Sequence, residues 1–145
     1  MSETLVLTVI GNDRPGLVEQ LATTIAANQG NWLESSMAHL AGKFAGIVRI
    51  DVPAGRVDAL KTALATLDGL RVTAENAGNP AAAEGHRRLK LSLVGHDRIG
   101  IVREVSQVLA RHAVNVEELN THTASAPMSA DILFHATAEL TGAAA

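Results

Sequence analysis

The chain has 145 residues, a formal charge of −3, a pI near 6.0 and no cysteine. With one Trp, two Phe and no Tyr, it offers neither the basic footprint nor the stacking platforms of a nucleic-acid binder, so direct DNA or RNA binding is not expected. The absence of Cys fits a reducing compartment, the opening Met1-Ser2-Glu3-Thr4 lacks the features of a secretory signal, and no apolar run approaches the ~18 residues of a membrane span; a cytoplasmic protein without membrane contact is expected.

In chain order, Thr4 to Ile10 is rich in β-branched and apolar residues and stops at Gly11-Asn12-Asp13, which predicts a strand. Leu17, Leu21 and Ile25 recur at helical spacing, with Asp13 or Arg14 expected at the cap and Pro15 at the first helical position. The helix is expected to stop near Asn28-Gln29-Gly30, with Gly30 in the left-handed conformation. Asn31 to Leu40 and Lys43 to Val52 read as a hairpin turning at Ala41-Gly42. Val57, Leu60, Leu64 and Leu67 define a second helix ending at Asp68-Gly69, and Leu70 to Glu75 a last strand.

Gly11-Asn12-Asp13-Arg14-Pro15-Gly16-Leu17 is written again 84 residues later as Gly95-His96-Asp97-Arg98-Ile99-Gly100-Ile101. Leu5, Leu7, Val18, Ala26, Asn31 and Glu34 recur at the same spacing as Leu89, Leu91, Val102, Ala110, Asn115 and Glu118. The chain is therefore two versions of one module, a first at 1–76 and a second at 89–145, joined by an aperiodic linker at 77–88. In the second, Leu89 to Val94 predicts a strand, Ile99 to His112 a helix with Ile101, Val105, Val108 and Leu109 on its apolar face, and Asn115 to Ala124 with Ala130 to Ala138 a hairpin. The order β-α-β-β-α-β predicts an α+β, ferredoxin-like module with two helices on one face of a four-stranded antiparallel sheet. The second module lacks the last helix and strand by this count. Modules this small are marginal alone, so a homodimer is expected.

The six histidines form no metal-ligand spacing, and no Ser-His-Asp or Cys-His arrangement is present; no cofactor, no metal and no enzymatic activity are expected. What the repeated loop offers is recognition of a zwitterion. Unpaired helix N–H groups suit a carboxylate, Asp13 or Asn31 can accept from an ammonium, and Gly11 and Gly16 admit close backbone approach. The same residues equally suit plain turn and cap chemistry. Arg14 and Arg98 read either as carboxylate partners or as solvated loop residues.

A strand, a Gly-x-Asp-Arg-x-Gly loop and a helix, repeated in tandem, resemble the ACT domain, and two such modules without a catalytic domain resemble the family of glycine cleavage system transcriptional repressors. The resemblance implies a regulatory protein that senses an amino acid, with glycine a candidate, and acts through a protein partner such as a transcription factor. A structural module without a small ligand, or a detached regulatory subunit of a biosynthetic enzyme, are the alternatives. Carried over by position, the implied ligand-binding residues are Gly11, Asn12, Asp13, Arg14, Pro15, Gly16 and Asn31, and in the second module Gly95, His96, Asp97, Arg98, Gly100 and Asn115. Ile99 replaces Pro in the second loop, so the first module is expected to hold the better site.

Overall fold

The computed structural model describes residues 1–77 and 86–143. The chain divides into two units, Met1–Asn79 and Pro80–Ala145. In the first, β1 (Ser2–Asn12), α1 (Leu17–Ala27), β2 (Asn31–Leu40), β3 (Lys43–Pro53), α2 (Val57–Ala65) and β4 (Leu70–Asn76) follow in order, with one turn of 3₁₀ helix at Ala54–Arg56. The sheet is antiparallel in the order β2-β3-β1-β4, so the first strand made lies in the middle.

Alternation along β1 and β3 decides what is inside. Leu5, Leu7 and Val9 with Val48, Ile50 and Val52 point to one face and are buried under Leu17, Leu21 and Ile25 of α1 and Leu60 and Leu64 of α2. Trp32, Met37 and Phe44 pack at the margin of this core. The opposite face carries the alternate residues, exposed Ile10 and Ile47 among polar ones, with Thr4 donating to Asp51 at 2.6 Å and Arg49 paired to Glu34 at 2.6 Å.

The turns follow from local chemistry, in two places differently from expectation. Ala41 (φ 50°) and Gly42 (φ 78°) are both left-handed, the geometry of the tight hairpin turn that matches strand twist. At the end of α1 the left-handed residue is Gln29 (φ 62°), not Gly30. The Gly30 N–H closes back on the Ile25 carbonyl at 2.8 Å, and a Cβ on Gly30 would lie 2.6 Å from Ile25 Cγ2, so the glycine is there for close approach. The second unit repeats this closure with Ala113 (φ 55°) left-handed and the Val114 N–H on the Leu109 carbonyl at 2.9 Å. Helix starts differ too. The residue before each helix is a left-handed glycine, Gly16 (φ 90°) or Gly100 (φ 89°), with no side-chain cap bond. Asp13 and Arg14 therefore do not cap α1, and Pro15 lies in the turn before Gly16 and outside the helix.

The second unit is β5 (His86–His96), α3 (Ile101–Arg111), β6 (Asn115–Ser125) and β7 (Ile132–Ala143), in a three-stranded antiparallel sheet of order β5-β7-β6. Of the expected linker, 78–85 lie outside the described residues, and 86–88 are already strand. The pairings reproduce the first unit's: Leu5 opposes Ile50 as Leu89 opposes Leu140, and Gly11 opposes Phe44 as Gly95 opposes Phe134. Nothing among the described residues stands where α2 and β4 stand in the first unit. The cost shows in burial. Phe134, Ala136, Ala138 and Leu140 of the central strand are buried, but α3 buries none of its residues fully, Val108 is 48% exposed, and Leu89 is 42% exposed where the equivalent Leu5 is 0%.

Candidate ligand-binding site

The repeated loop leaves the sheet at the end of β1, and β-sheet geometry brings three other segments to the same end. Gly11 opposes Phe44 on β3 and Leu70 on β4, while His39 of β2 opposes Phe44 from the far side. A cleft of about 480 Å³ opens there, lined by Ile10, Gly11, Asn12, Lys43, Gly69, Leu70 and Arg71. Its floor is backbone, because β4 enters so close to β1 that a Cβ on Gly11 would lie 2.2 Å from the Gly69 carbonyl oxygen. Its walls carry two cations, Lys43 and Arg71. Asn12 Oδ1 accepts from Lys43 Nζ at 2.5 Å, which fixes the ammonium over the loop. The Asp13 N–H donates to the Gly42 carbonyl at 3.0 Å, tying the loop to the hairpin turn, and its carboxylate lies 3.4 Å from His39 Nδ1.

Arg14 turns out to be a strut. Its guanidinium donates to the Asp68 carbonyl at 2.9 Å and to Gln20 Oε1 at 3.1 Å, and Gln20 Nε2 donates to the same carbonyl at 3.1 Å. The loop is thereby latched to the α2–β4 turn, and Arg14, though exposed to solvent, is already engaged by protein partners. Gly69 (φ 81°) leaves room for it, since a Cβ there would lie 2.9 Å from Arg14 Nη2.

The corresponding loop of the second unit has the same backbone, with the Asp97 N–H on the Ile132 carbonyl at 3.0 Å, but different neighbours. Arg98 pairs with Glu104, the counterpart of Gln20. That hydrogen bond and charge hold the Arg98 guanidinium above its ordinary value and the Glu104 carboxyl below the usual carboxylate range. Gly95, His96, Asp97, Arg98 and Gly100 thus share one loop, but among the described residues no turn stands over it as Asp68-Gly69 stands over the first.

Asn31 and Asn115 are not brought to these loops within a unit. Asn31 is level with Asp51 and hence with Thr4, seven positions up β1 from Gly11 and about 23 Å away at the rise of a strand. Asn115 is level with Thr141 and Arg88 in the same way. The Asn115 amide donates to Glu117 at 3.0 Å.

Lys43 and Arg71, which line the cleft, and His39, which meets Asp13, escaped the sequence reading, because each arrives there only through strand register. Gly69 was legible as a turn residue but not as a wall. Among the described residues no three His, Cys, Asp or Glu side chains are grouped to hold a metal, and no helix is long and apolar enough to cross a membrane.

Residues 3–73 match the ACT domain model. A crystal structure of a protein of unknown function from Galdieria sulphuraria superposes with TM-score 0.84 at 30% identity, covering 99% of this chain and 84% of that one. A proposed glycine cleavage system transcriptional repressor superposes with TM-score 0.72 at 18% identity, covering 99% and 82% of the two chains, a likeness of fold. No curated protein sequence matches the chain.

Proposed function

Because the chain belongs to the ACT-domain family, whose modules are regulatory, we propose that it binds a small amino acid in the first unit's cleft and passes that state to a protein partner. The observation that carries this reading is the cleft itself. It is floored by backbone at Gly11 and Gly69, walled by Lys43 and Arg71, and has an amide at Asn12. Two cations suit a carboxylate, and Asp13, the next loop residue after Asn12, suits an ammonium. A free amino acid carries both groups at short separation. The likeness to a proposed glycine cleavage repressor supports control of amino-acid metabolism at the level of transcription, with glycine the first ligand to try. The role is binding rather than catalysis.

Thermal unfolding in the presence of each amino acid tests the reading, since a ligand that binds only the folded state adds about 2.7 kcal/mol at a hundred times its Kd. The expected result is a rise in midpoint with one or a few amino acids, lost in Lys43→Ala and kept in Asp97→Ala. If no amino acid raises the midpoint at millimolar concentration, the proposal fails and an association module without a small ligand takes its place.

A further inference from the structure

Among the described residues, the cleft of the first unit is lined by two cations and by no carboxylate. Lys43 Nζ is held by a neutral partner, Asn12 Oδ1, and Arg71 has no hydrogen bond or ion pair among the described residues. On the same face of the sheet Arg49, by contrast, is neutralised by Glu34 at 2.6 Å. Strand register sets the two cations on either side of β1. Lys43 opposes Asn12 from β3 and Arg71 opposes Ile10 from β4, so their Cα atoms stand about 12 Å apart, two strand spacings across and two residues along. Both side chains reach into the cleft, which narrows that gap, and Ile10, 48% exposed, lies on β1 between them. The order across the cleft is therefore cation, apolar surface, cation. The second unit does not repeat it: where Asn12 opposes Lys43, His96 opposes Leu133. Lys43 is thus a feature of this cleft and not of the repeated loop.

We infer that the ligand of this cleft is an amino acid with a side-chain carboxylate, glutamate ahead of aspartate. The inference rests on the reading of the cleft as an amino-acid site and narrows it by charge. A neutral amino acid such as glycine brings one carboxylate and leaves the second cation without a counter-charge. An acidic one brings two carboxylates, one for Lys43 and one for Arg71, and its methylenes lie against Ile10. Its ammonium is left to Asp13, as in the broader reading. Glutamate has one methylene more than aspartate between its carboxylates and spans the wider gap.

Calorimetric titration of the full chain with L-glutamate, L-glutamine, glycine and glutarate is the test. Glutamine matches glutamate in shape and lacks its side-chain charge, and glutarate lacks the ammonium. Glutamate is expected to bind roughly five- to tenfold tighter than glutamine, the effect of one charged contact at a partly exposed site, and the difference is expected to shrink as salt is raised. Arg71→Gln is expected to remove the difference and Arg71→Lys to keep it. Arg71 is exposed, so both variants are expected to fold, which Trp32 fluorescence checks. Glutamine or glycine binding as tightly as glutamate overturns the inference and leaves the amino-acid reading standing, and so does a preference for glutamate that survives in Arg71→Gln. Glutarate binding as tightly as glutamate overturns the amino-acid reading and the inference with it, as does the absence of binding by all four compounds.

Discussion

Gly11→Ala and Gly95→Ala place one methyl at equivalent positions of the two loops, and the structure predicts opposite outcomes. At Gly11 the new Cβ lies 2.2 Å from the Gly69 carbonyl oxygen and 3.1 Å from Leu70 Cδ2, so the start of β4 must retreat by most of an ångström. At Gly95 the only neighbour within 4 Å among the described residues is Ile101 Cδ1 at 3.8 Å, an ordinary contact. Overpacking of the first kind costs about 1–3 kcal/mol. The second is neutral or stabilising by about 0.4–1 kcal/mol, because alanine restricts the unfolded chain more than glycine does. With a urea slope of ~1–3 kcal/mol per molar, Gly11→Ala lowers the first unit's midpoint by roughly 1 M. The chain's one tryptophan, Trp32, packs at the edge of the first unit's core and gives that unit a private fluorescence signal. Calorimetry follows the second unit. The reasoning is refuted if Gly11→Ala leaves the Trp32 midpoint unchanged, or if Gly95→Ala costs its own unit as much.

Arg14→Ala unlatches the loop from the Asp68 carbonyl at an exposed site, so it is expected to cost only about 1 kcal/mol while weakening any ligand of the cleft through a looser loop, measured by urea titration and calorimetric binding on the same variant. Leu21→Ala empties a fully buried position and is expected to cost about 2–5 kcal/mol; Val105→Ala, its counterpart in the thinner second unit, costs distinctly less by the same assay. Glu104 is held by Arg98 below its ordinary value of 4.5, so its contribution is full above that pH and fades as pH falls through the lower folded value. Glu104→Gln is therefore expected to flatten the second unit's loss of stability as pH falls below 4.5, read by calorimetry at a series of pH values.

The architecture was legible because periodicity reports burial directly. Leu17, Leu21 and Ile25 stand at helical spacing because a helix lies on a sheet there, and Asn31 to Leu40 was bounded correctly by Gly30 on one side and Ala41-Gly42 on the other. The tandem repeat likewise foretold the strand, helix and hairpin of the second unit, which the described residues form as β5, α3, β6 and β7. The site was legible only as a loop. Asp13 had the chemistry of a cap, but two residues more of turn put Gly16 in the cap position. Arg14 gave no hint of its acceptor, a backbone carbonyl 54 residues away. Lys43 and Arg71 are unremarkable in sequence and meet only because Gly11 pairs with both their strands. Asn31 shares a motif with Gly11 but lies at the other end of the sheet. Proximity in sequence carried across a turn and failed across a strand.

The central place of β1 also bears on how the chain is made. A strand that is synthesised first but paired on both sides has to wait for β3 and then for β4, which ends 64 residues after β1 does. At translation rates of ~5–20 residues per second that is roughly 3–13 s, during which Leu5, Leu7 and Val9 have no complete sheet to join. The β2–β3 hairpin, closed by two residues, forms within microseconds of leaving the ribosome and is the template on which β1 can first settle. Until Leu70 to Asn76 have been made, β1 can pair only with β3, so the edge of β1 that β4 takes in the finished sheet stays open to a misplaced pairing for that interval.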